Sequence, residues 1–234
     1  MTTQISTFND RDDEGFGFSY YEYKYRVPHE VLHHVTDLLQ EFCGHTDPFP
    51  SGIVDSIYYD TLDQSLLRQC INGDAEKVKF RIRGYGDGQY FQLHQKMKSL
   101  SGVGKFKCKI IPQQAPREMA PMFDQLAPNT TGDPEFSKIF SNSQNYGIMF
   151  PSIRVKYFRY RYRSYDYRIT LDTNIEVYSP TNGLPHTRSY AQLPFHVLEI
   201  KTTRLRPNLP FIGLIKLEQV SFSKFMIGLD LLNS

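Results

Sequence analysis

The sequence predicts an α+β protein that is mainly β: a closed antiparallel tunnel of about eight strands, with an ionic interior and helices packed outside. Two observations predict it. Several segments alternate strictly between polar and apolar residues, so each forms a strand with one polar and one apolar face. Aromatic residues make up 14% of the chain without any Trp, and the Tyr and Phe residues cluster in these segments, which favours β structure.

Length and composition predict the domain organisation. The 234 residues suit one large domain with a substantial core. We expect residues 1–17, which are polar and acidic, to be a flexible arm, and residues 18–234 to form that domain. The chain has 27 Lys and Arg against 25 Asp and Glu, which argues against a general nucleic-acid coat. It has no long apolar run and no signal-peptide pattern, so we expect a soluble, cytoplasmic chain. Cys43, Cys70 and Cys108 have no ligand-like spacing, and we expect them to be reduced and structural.

The first elements follow from alternation and from one proline. A strand is predicted at Ser19–Val27, where Tyr alternates with charged residues. Pro28 favours a helix start, because the missing N–H of proline costs nothing at a first helical position, and an apolar stripe continues the helix to about Phe42. A strand at Gly52–Tyr59 and a short irregular stretch to Gly73 follow.

The most informative segment is the basic strand Lys77–Arg83, in which cations alternate with apolar residues. Glycine-rich turns connect it to strands at Gln89–Lys98 and Lys105–Ile111 in an antiparallel meander. The polar positions of these three strands carry nine cations and no Asp or Glu: Lys77, Lys79, Arg81, Arg83, Lys96, Lys98, Lys105, Lys107 and Lys109.

A solvated face is the ordinary interpretation of one such strand. A solvated surface normally mixes both signs of charge, however, whereas these three strands are uniformly basic. Like charges on one strand face repel each other unless an anion lies against them. The pattern therefore indicates a polyphosphate-like ligand.

The second half of the chain begins with a change of composition. Residues 112–150 contain five prolines and few alternations, and we expect an irregular insertion that covers the sheet, with short helices such as one at Phe136–Phe140. The remaining predicted elements are strands at Ser152–Arg163, Tyr165–Tyr178 and Phe195–Thr203 and a helical segment at Phe222–Leu232.

Three other patterns support no function. His29–His33 matches the HExxH zinc pattern, but His29 lies in the first helical turn and no convincing third ligand follows. Gly84–Gly88 joins strand to strand and lacks the helix that follows a dinucleotide-binding fingerprint. Gly104-Lys105 lacks the first glycine and the hydroxyl residue of a phosphate-binding loop.

Short segments spread from about Tyr20 to Leu232 carry a family resemblance. They are Tyr23-Lys24-Tyr25, Tyr58-Tyr59-Asp60-Thr61, Lys79-Phe80-Arg81-Ile82-Arg83-Gly84-Tyr85-Gly86, Tyr157-Phe158-Arg159, Arg168-Ile169-Thr170-Leu171-Asp172, Leu198-Glu199-Ile200-Lys201 and Ser223-Lys224-Phe225. These segments stand in the order seen in VTC (vacuolar transporter chaperone) domains, so the chain resembles that family over nearly its whole length. VTC domains are polyphosphate polymerase domains of the triphosphate tunnel metalloenzyme, or CYTH-like, superfamily.

The resemblance implies an antiparallel β tunnel that binds the triphosphate of ATP and transfers its terminal phosphoryl group to a growing polyphosphate chain. It also implies a divalent metal, Mn²⁺ or Mg²⁺. The implied phosphate ligands are Lys24, Lys79, Arg81, Arg83, Lys96, Lys105, Arg159, Arg168, Lys201 and Lys224. Those implied to act in catalysis are Lys24, Arg81, Arg83, Lys96, Arg159 and Arg168. Glu199 is the implied metal ligand, and the residue types add Glu22 or Asp172 as helpers.

The residue types suit this chemistry. Arg offers a planar fork to phosphate oxygens and Lys a compact charge, and phosphoryl transfer needs mainly positioning and charge neutralisation. A polymerase of this kind attacks with a terminal phosphate that is already anionic, whereas a hydrolase must activate water with a base. The hard oxygen ligands of Glu199 suit Mg²⁺ or Mn²⁺ better than Zn²⁺.

Two positions depart from the family pattern. His94 stands where many relatives have Glu, which removes a negative charge, and we interpret it as a neutral hydrogen-bonding substitute. Ser221 stands where some relatives have a second Lys. Both departures bear on metal affinity and on the level of activity.

Three hypotheses of function remain. We favour an ATP-dependent polyphosphate polymerase. The alternatives are a tunnel triphosphatase that acts on inorganic triphosphate or nucleotides, and a non-catalytic module that binds polyphosphate or RNA, suggested by the interleaved Tyr and Arg of Tyr157–Tyr167. The expected partners are ATP and inorganic polyphosphate, with no nucleic acid. Because VTC-like domains commonly work beside membrane proteins, a separate membrane protein is the expected polypeptide partner, at the inner face of a membrane.

Overall fold

The computed structural model describes residues 21–43, 45–86, 90–99, 102–110, 133–164, 166–180, 184–205, 209–221 and 223–234. The predicted arm at residues 1–17 and the first part of the predicted insertion, residues 112–132, lie outside the described residues.

Strands dominate the described part of the chain. They are β1 (Tyr21–Val27), β2 (His45–Asp60), β3 (Lys77–Tyr85), β4 (Tyr90–Ser99), β5 (Gly102–Ile110), β6 (Phe150–Ser164), β7 (Tyr167–Tyr178), β8 (Tyr190–Gln192), β9 (His196–Thr202) and β10 (Glu218–Gln219). The helices are α1 (Leu32–Phe42), which follows a 3-10 turn at His29–Val31, and α2 (Ser65–Ile71), α3 (Pro134–Gln144), α4 (Pro210–Ile215) and α5 (Lys224–Asn233). The prediction of a mainly β protein of the α+β class is confirmed.

The strands form one hydrogen-bonded sheet of ten strands, not eight, in the order β10-β1-β9-β7-β6-β2-β3-β4-β5, with β8 paired to β7. In the described part of the chain the two ends of this order do not pair with each other, so the sheet is not closed. The prediction of a closed tunnel of about eight strands is wrong in these two respects. Closure requires hydrogen bonds between the two edge strands, and the edge strand β10 is only two residues long.

The chain divides into two compact units, of which unit 1 comprises Met1–Gly52, Tyr157–Ile175 and Leu193–Phe222. In unit 1, β1 pairs antiparallel with β9, which pairs antiparallel with β7. The apolar faces of these strands pack against α1 and α4, in a core of Tyr25, Val27, Val35, Leu39, Cys43, Tyr167, Ile169, Leu171, Leu198, Ile200, Leu209 and Leu217. The polar faces of the same strands carry the candidate site residues.

Unit 2 comprises Ile53–Lys156, Glu176–Gln192 and Ser223–Ser234. Here β2, β3, β4 and β5 form an antiparallel meander. Its apolar face packs against α2 and α3, in a core of Ile57, Tyr59, Leu66, Val78, Phe80, Ile82, Leu93, Cys108, Ile110, Phe136, Ile139 and Met149. In both units the helices cover the apolar faces of the strands, as the alternation predicts.

Several element bounds differ from the predictions. The strand predicted to begin at Gly52 begins at His45, although Pro48 and Pro50 lie within it. The stretch predicted to be irregular contains α2, whose backbone N–H groups of Leu66 and Leu67 each donate to the carboxylate of Asp60 at 2.9 Å. This cap comes from several residues before the helix, so no local signal marks it. Strands β8 and β10 and helix α4 are too short for a periodic pattern.

Candidate functional site

The basic face of unit 2 is the polar side of β3, β4 and β5. Antiparallel register places Lys79 opposite Lys96, and Lys96 opposite Lys105. One step along, Arg81 lies opposite His94 and His94 opposite Lys107. The structure therefore brings the predicted phosphate ligands of these three strands together on one face: Lys79, Arg81, Arg83, Lys96 and Lys105.

The guanidinium of Arg81 is held from two sides. Its Nε and Nη2 atoms donate to Nδ1 of His94 at 3.1 and 3.0 Å, and its Nη1 atom donates to the hydroxyl oxygen of Tyr58 at 3.2 Å. A guanidinium has only donors, so Nδ1 of His94 must be unprotonated. The proton of His94 is then on Nε2, which donates to Oε1 of Gln92 at 2.9 Å.

His94 is therefore a neutral residue that orients a cation. Burial lowers its pKa well below the ordinary value, and the charges of Arg81 and Lys105 lower it further. This agrees with its interpretation as a neutral hydrogen-bonding substitute for the Glu of relatives. Because His94 carries no negative charge, it positions Arg81 without neutralising it.

The same cations also lower the pKa of Tyr58, although burial acts on a phenol in the opposite direction from a histidine. Burial alone raises the pKa of its hydroxyl, but the charges of Arg81 and Arg83 and the hydrogen bond from Arg81 outweigh burial, and the pKa falls to about 7. Tyr58 lies opposite Arg81 in the β2–β3 register and is 7% exposed. Sequence reasoning did not assign it to the site, because Tyr at a strand position is usually counted as apolar.

The other cations of this face also have defined contacts. Nε of Arg83 donates to Oγ of Ser56 at 2.9 Å, and both residues are buried. Nζ of Lys79 donates to Oγ of Ser223, the residue before α5, at 2.8 Å. Helix α5 begins at Lys224, a predicted phosphate ligand, and the ring of Phe225 stacks on Tyr58 with ring centroids 5.2 Å apart. The start of α5 thus lies against the basic face.

Unit 1 contains a quartet of alternating charges. Lys24 lies opposite Glu199 and Glu22 opposite Lys201 in the β1–β9 register. Nζ of Lys24 is 2.5 Å from Oε1 of Glu22, and Nζ of Lys201 is 3.7 Å from Oε1 of Glu199. Burial alone lowers the pKa of Lys24, but Glu22 and Glu199 outweigh it and raise that pKa. Lys24 therefore stays cationic, and its charge is shared between two carboxylates.

The donors of this quartet fit a divalent metal. Glu22 and Glu199 supply hard carboxylate oxygens from neighbouring strands on one face. Opposite Glu199 in the β7–β9 register, the buried hydroxyl of Thr170 has no hydrogen-bond partner within the described residues. Nowhere in the described part of the chain do three or more His, Cys, Asp or Glu residues lie close enough together to hold a metal ion. Mg²⁺ is commonly bound by one or two carboxylates plus phosphate oxygens, which matches this donor set.

Two predicted phosphate ligands of unit 1 are deeply buried. Arg159 of β6 makes a two-pronged ion pair with Asp172 of β7, at 2.6 and 2.9 Å. Asp172 therefore pairs with a cation. The sequence predicted it to assist the metal ligand and did not predict this ion pair. Arg168, which is 1% exposed, lies opposite Lys201 in the β7–β9 register, so two predicted cations meet there.

Comparison with known proteins identifies relatives of this fold. The VTC domain family matches the sequence over residues 19–233. A provisionally assigned adenylate cyclase of Bacillus halodurans has a similar structure, with a TM-score of 0.56 and 14% identity over 86% of this chain and 92% of that chain. HpAC1 of Hippeastrum, a provisionally assigned adenylyl cyclase with a dominant triphosphatase activity, has a TM-score of 0.50 and 18% identity over 88% and 93%. No curated protein sequence matches.

Among the described residues, no helix is both long enough and apolar enough to cross a bilayer. The cytoplasmic location and the membrane-protein partner stay predictions.

Proposed function

Because the chain belongs to the VTC domain family, we propose that it is an ATP-dependent polyphosphate polymerase, which transfers the terminal phosphoryl group of ATP to inorganic polyphosphate. The observation that carries this proposal is the basic face of unit 2. Three neighbouring strands place Lys79, Arg81, Arg83, Lys96 and Lys105 on one surface. Concentrated cations of this kind suit an anion with several adjacent charges, such as a triphosphate.

The contacts of the basic face support positioning as its main role. Arg81 is oriented by His94 and Tyr58, and Arg83 by Ser56, so both guanidinium groups are held before a ligand arrives. Preorganised cations lower the barrier of phosphoryl transfer, because they compensate charge that moves between phosphate oxygens without having to reorient.

The unit 1 quartet supports a divalent cation. Glu199 and Glu22 would hold Mg²⁺ or Mn²⁺, and a metal bound in unit 1 would neutralise charge on phosphate oxygens that coordinate it. Lys24, whose pKa is raised, stays protonated at neutral pH, so the quartet also retains a cation of the kind that binds phosphate oxygens.

Transfer to phosphate is favoured over transfer to water by the state of His94. Its unprotonated Nδ1 already accepts from Arg81, and burial lowers its pKa, so it is a poor base for activating water. A polyphosphate end needs no such base, because it is already anionic at neutral pH.

A tunnel triphosphatase is the second candidate, and Tyr58 is the observation that favours it. The pKa of its hydroxyl is about 7 in the free protein, and a phenolate that stayed ionised beside a bound triphosphate would take a proton from an attacking water. The dominant triphosphatase activity of the Hippeastrum protein is compatible with this alternative.

The deciding experiment incubates the purified chain with ATP and Mn²⁺ or Mg²⁺ and measures acid-insoluble polyphosphate and free orthophosphate in parallel. We expect polymer. Orthophosphate without polymer would replace the polymerase by the triphosphatase. Binding of triphosphate with neither product would identify a binding module.

A pair of matched variants tests the role of the basic face. Lys79→Gln removes a charge from that face and should weaken triphosphate binding about tenfold, the size expected for a lost charge-assisted hydrogen bond. Lys138→Gln is the control, because Lys138 is exposed on α3 and pairs with Glu135. Equal affinities of the two variants would contradict the assignment of the face.

A further inference from the structure

The hydroxyl of Tyr58 has an unusual hydrogen-bond environment. Its oxygen accepts from Nη1 of Arg81, and within the described residues the hydroxyl donates to no acceptor. A buried phenol normally donates its proton to a partner. Here the oxygen faces a guanidinium, which has no lone pair to receive that proton. The site therefore stabilises an oxygen that carries negative charge.

The charged groups around Tyr58 agree with this. On β3, Arg81 lies directly opposite Tyr58, and Arg83 and Lys79, each two residues from Arg81, lie on the same face. On β4, His94 is neutral and is linked to Tyr58 through Arg81. These elements present cations or a neutral imidazole to the hydroxyl.

The remaining neighbours do not offset those cations. On the strand of Tyr58 itself, the carboxylate of Asp60 accepts from the backbone N–H groups of Thr61, Leu66 and Leu67. Asp55 points to the opposite face of β2, where it pairs with Arg154 of β6. From α5, the ring of Phe225 covers the ring of Tyr58, and Ser223 binds Lys79.

We propose that Tyr58 is a further residue of the phosphate site: its phenolate is the internal anion of Arg81, and phosphate oxygens of a bound triphosphate replace it there. This inference rests on the proposed role of the basic face in triphosphate binding. On replacement the phenolate oxygen takes up one proton from the solvent, and one O–H bond forms. The new phenol is then a donor for a phosphate oxygen.

The free protein is poised for this exchange, because the pKa of Tyr58 is about 7 and about half of the hydroxyl groups are ionised at that pH. A bound triphosphate compensates Arg81, Arg83 and Lys79, so the pKa of Tyr58 rises toward its ordinary value. Since binding takes up a proton, affinity falls as the pH rises above about 7, with a limiting slope of about tenfold per pH unit.

The test uses the full chain with inorganic triphosphate and a metal chelator, which prevents turnover. At about pH 8, tyrosinate absorbance should decrease when triphosphate is added, and calorimetry in two buffers of different ionisation enthalpy should show uptake of close to one proton. Tyr58→Phe should lose both signals, and its affinity for triphosphate should no longer show the fall above a pH of about 7 that Tyr58 causes. An unchanged absorbance and no proton uptake, with triphosphate bound, would overturn the inference.

Two further variants keep the test independent of one substitution. Arg81→Gln removes the nearest cation, so the titration of Tyr58 should move upward from about 7 toward the ordinary range of tyrosine. Tyr59→Phe is the matched control, because the neighbouring Tyr59 lies in the apolar core of unit 2, and both signals should remain. Failure of triphosphate to bind at all would instead contradict the proposed function.

Discussion

Arg159 donates to both carboxylate oxygens of Asp172, from Nε to Oδ1 at 2.6 Å and from Nη2 to Oδ2 at 2.9 Å. The pair is almost fully buried, with side-chain exposures of 8% and 0%. A buried ion pair adds little net stability, but removal of one partner leaves the other charge uncompensated in a poorly hydrated place. The contact therefore makes both residues structural, whatever part Arg159 has in phosphate binding.

The first prediction concerns this pair. Asp172→Ala should lower the free energy of unfolding by about 3–5 kcal/mol, because Arg159 is left buried without its carboxylate. Urea unfolding measures the difference. Asp166→Ala is the matched control, since Asp166 pairs with Arg204 in an exposed position and its loss should have a much smaller effect. Equal effects of the two substitutions would show that the buried pair is not the reason.

The second prediction concerns metal affinity. Glu199→Gln keeps the shape of the side chain but removes one of the two carboxylate charges of the quartet, so affinity for Mn²⁺ should fall about tenfold or more. Electron paramagnetic resonance of free Mn²⁺ measures this without any turnover. Glu41→Gln, an exposed position on α1, should leave the affinity unchanged. Retained Mn²⁺ affinity in Glu199→Gln would remove Glu199 from the metal site.

The third prediction concerns acid stability. His196 is 2% exposed and its Nε2 lies 2.6 Å from Nδ1 of His29. Burial and the neighbouring His29 lower the pKa of His196 to about 4, whereas an unfolded histidine titrates near 6.5. Between these values the unfolded chain binds a proton that the folded chain does not. The stability that neutral His196 contributes is therefore complete above a pH of about 6.5 and is lost as the pH falls toward 4. The loss in the free energy of unfolding is up to about 3 kcal/mol.

Urea midpoints measured across this pH range check the sign. His196→Gln cannot titrate, so its stability should change less between neutral pH and pH of about 4.5 than that of the natural chain. His33→Gln serves as control, because His33 is exposed on α1 and pairs with Asp37. If His196→Gln retains the full acid sensitivity, other groups are responsible for it.

The fourth prediction compares two helical glycines. A Cβ added at Gly228 in α5 would lie 3.0 Å from side-chain atoms of Ile153 and Val177, whereas one added at Gly213 in α4 meets nothing within 4 Å. Ala is the better helix former, by about 1 kcal/mol. We expect Gly213→Ala to be neutral or stabilising and Gly228→Ala to be destabilising by about 1–3 kcal/mol, because its core neighbours must move. Thermal unfolding of both variants tests the contrast.

The sequence predicted most of the strands, because alternation is a local property of each segment. The meander β3–β4–β5 and the helix that follows Pro28 lie close to their predicted bounds. Helix α2 was missed because its cap, Asp60, comes from the end of β2 and leaves no local mark. Strands β8 and β10 were missed because two or three residues cannot show a period.

The candidate site divides in the same way. The clustering of Lys79, Arg81 and Arg83 with the cations of β4 and β5 followed from alternation and from the order of the strands. The pairing of Arg159 with Asp172 did not, because it depends on which residues of β6 and β7 meet. Tyr58 was not predicted as a site residue, because its low pKa depends on the guanidinium of Arg81 opposite it and not on the residue type alone.

For the strands that show a clear alternation, the sequence alone determined which face each side chain occupies, and with it the single sign of charge on the basic face. A period of two residues is set by the covalent geometry of an extended chain, so it can be read without knowledge of any neighbour. Only the tertiary structure decided that the sheet has ten strands and stays open, that Asp172 binds Arg159, and that Tyr58 and His94 hold Arg81. Those contacts join residues far apart in the chain, and register and burial choose them.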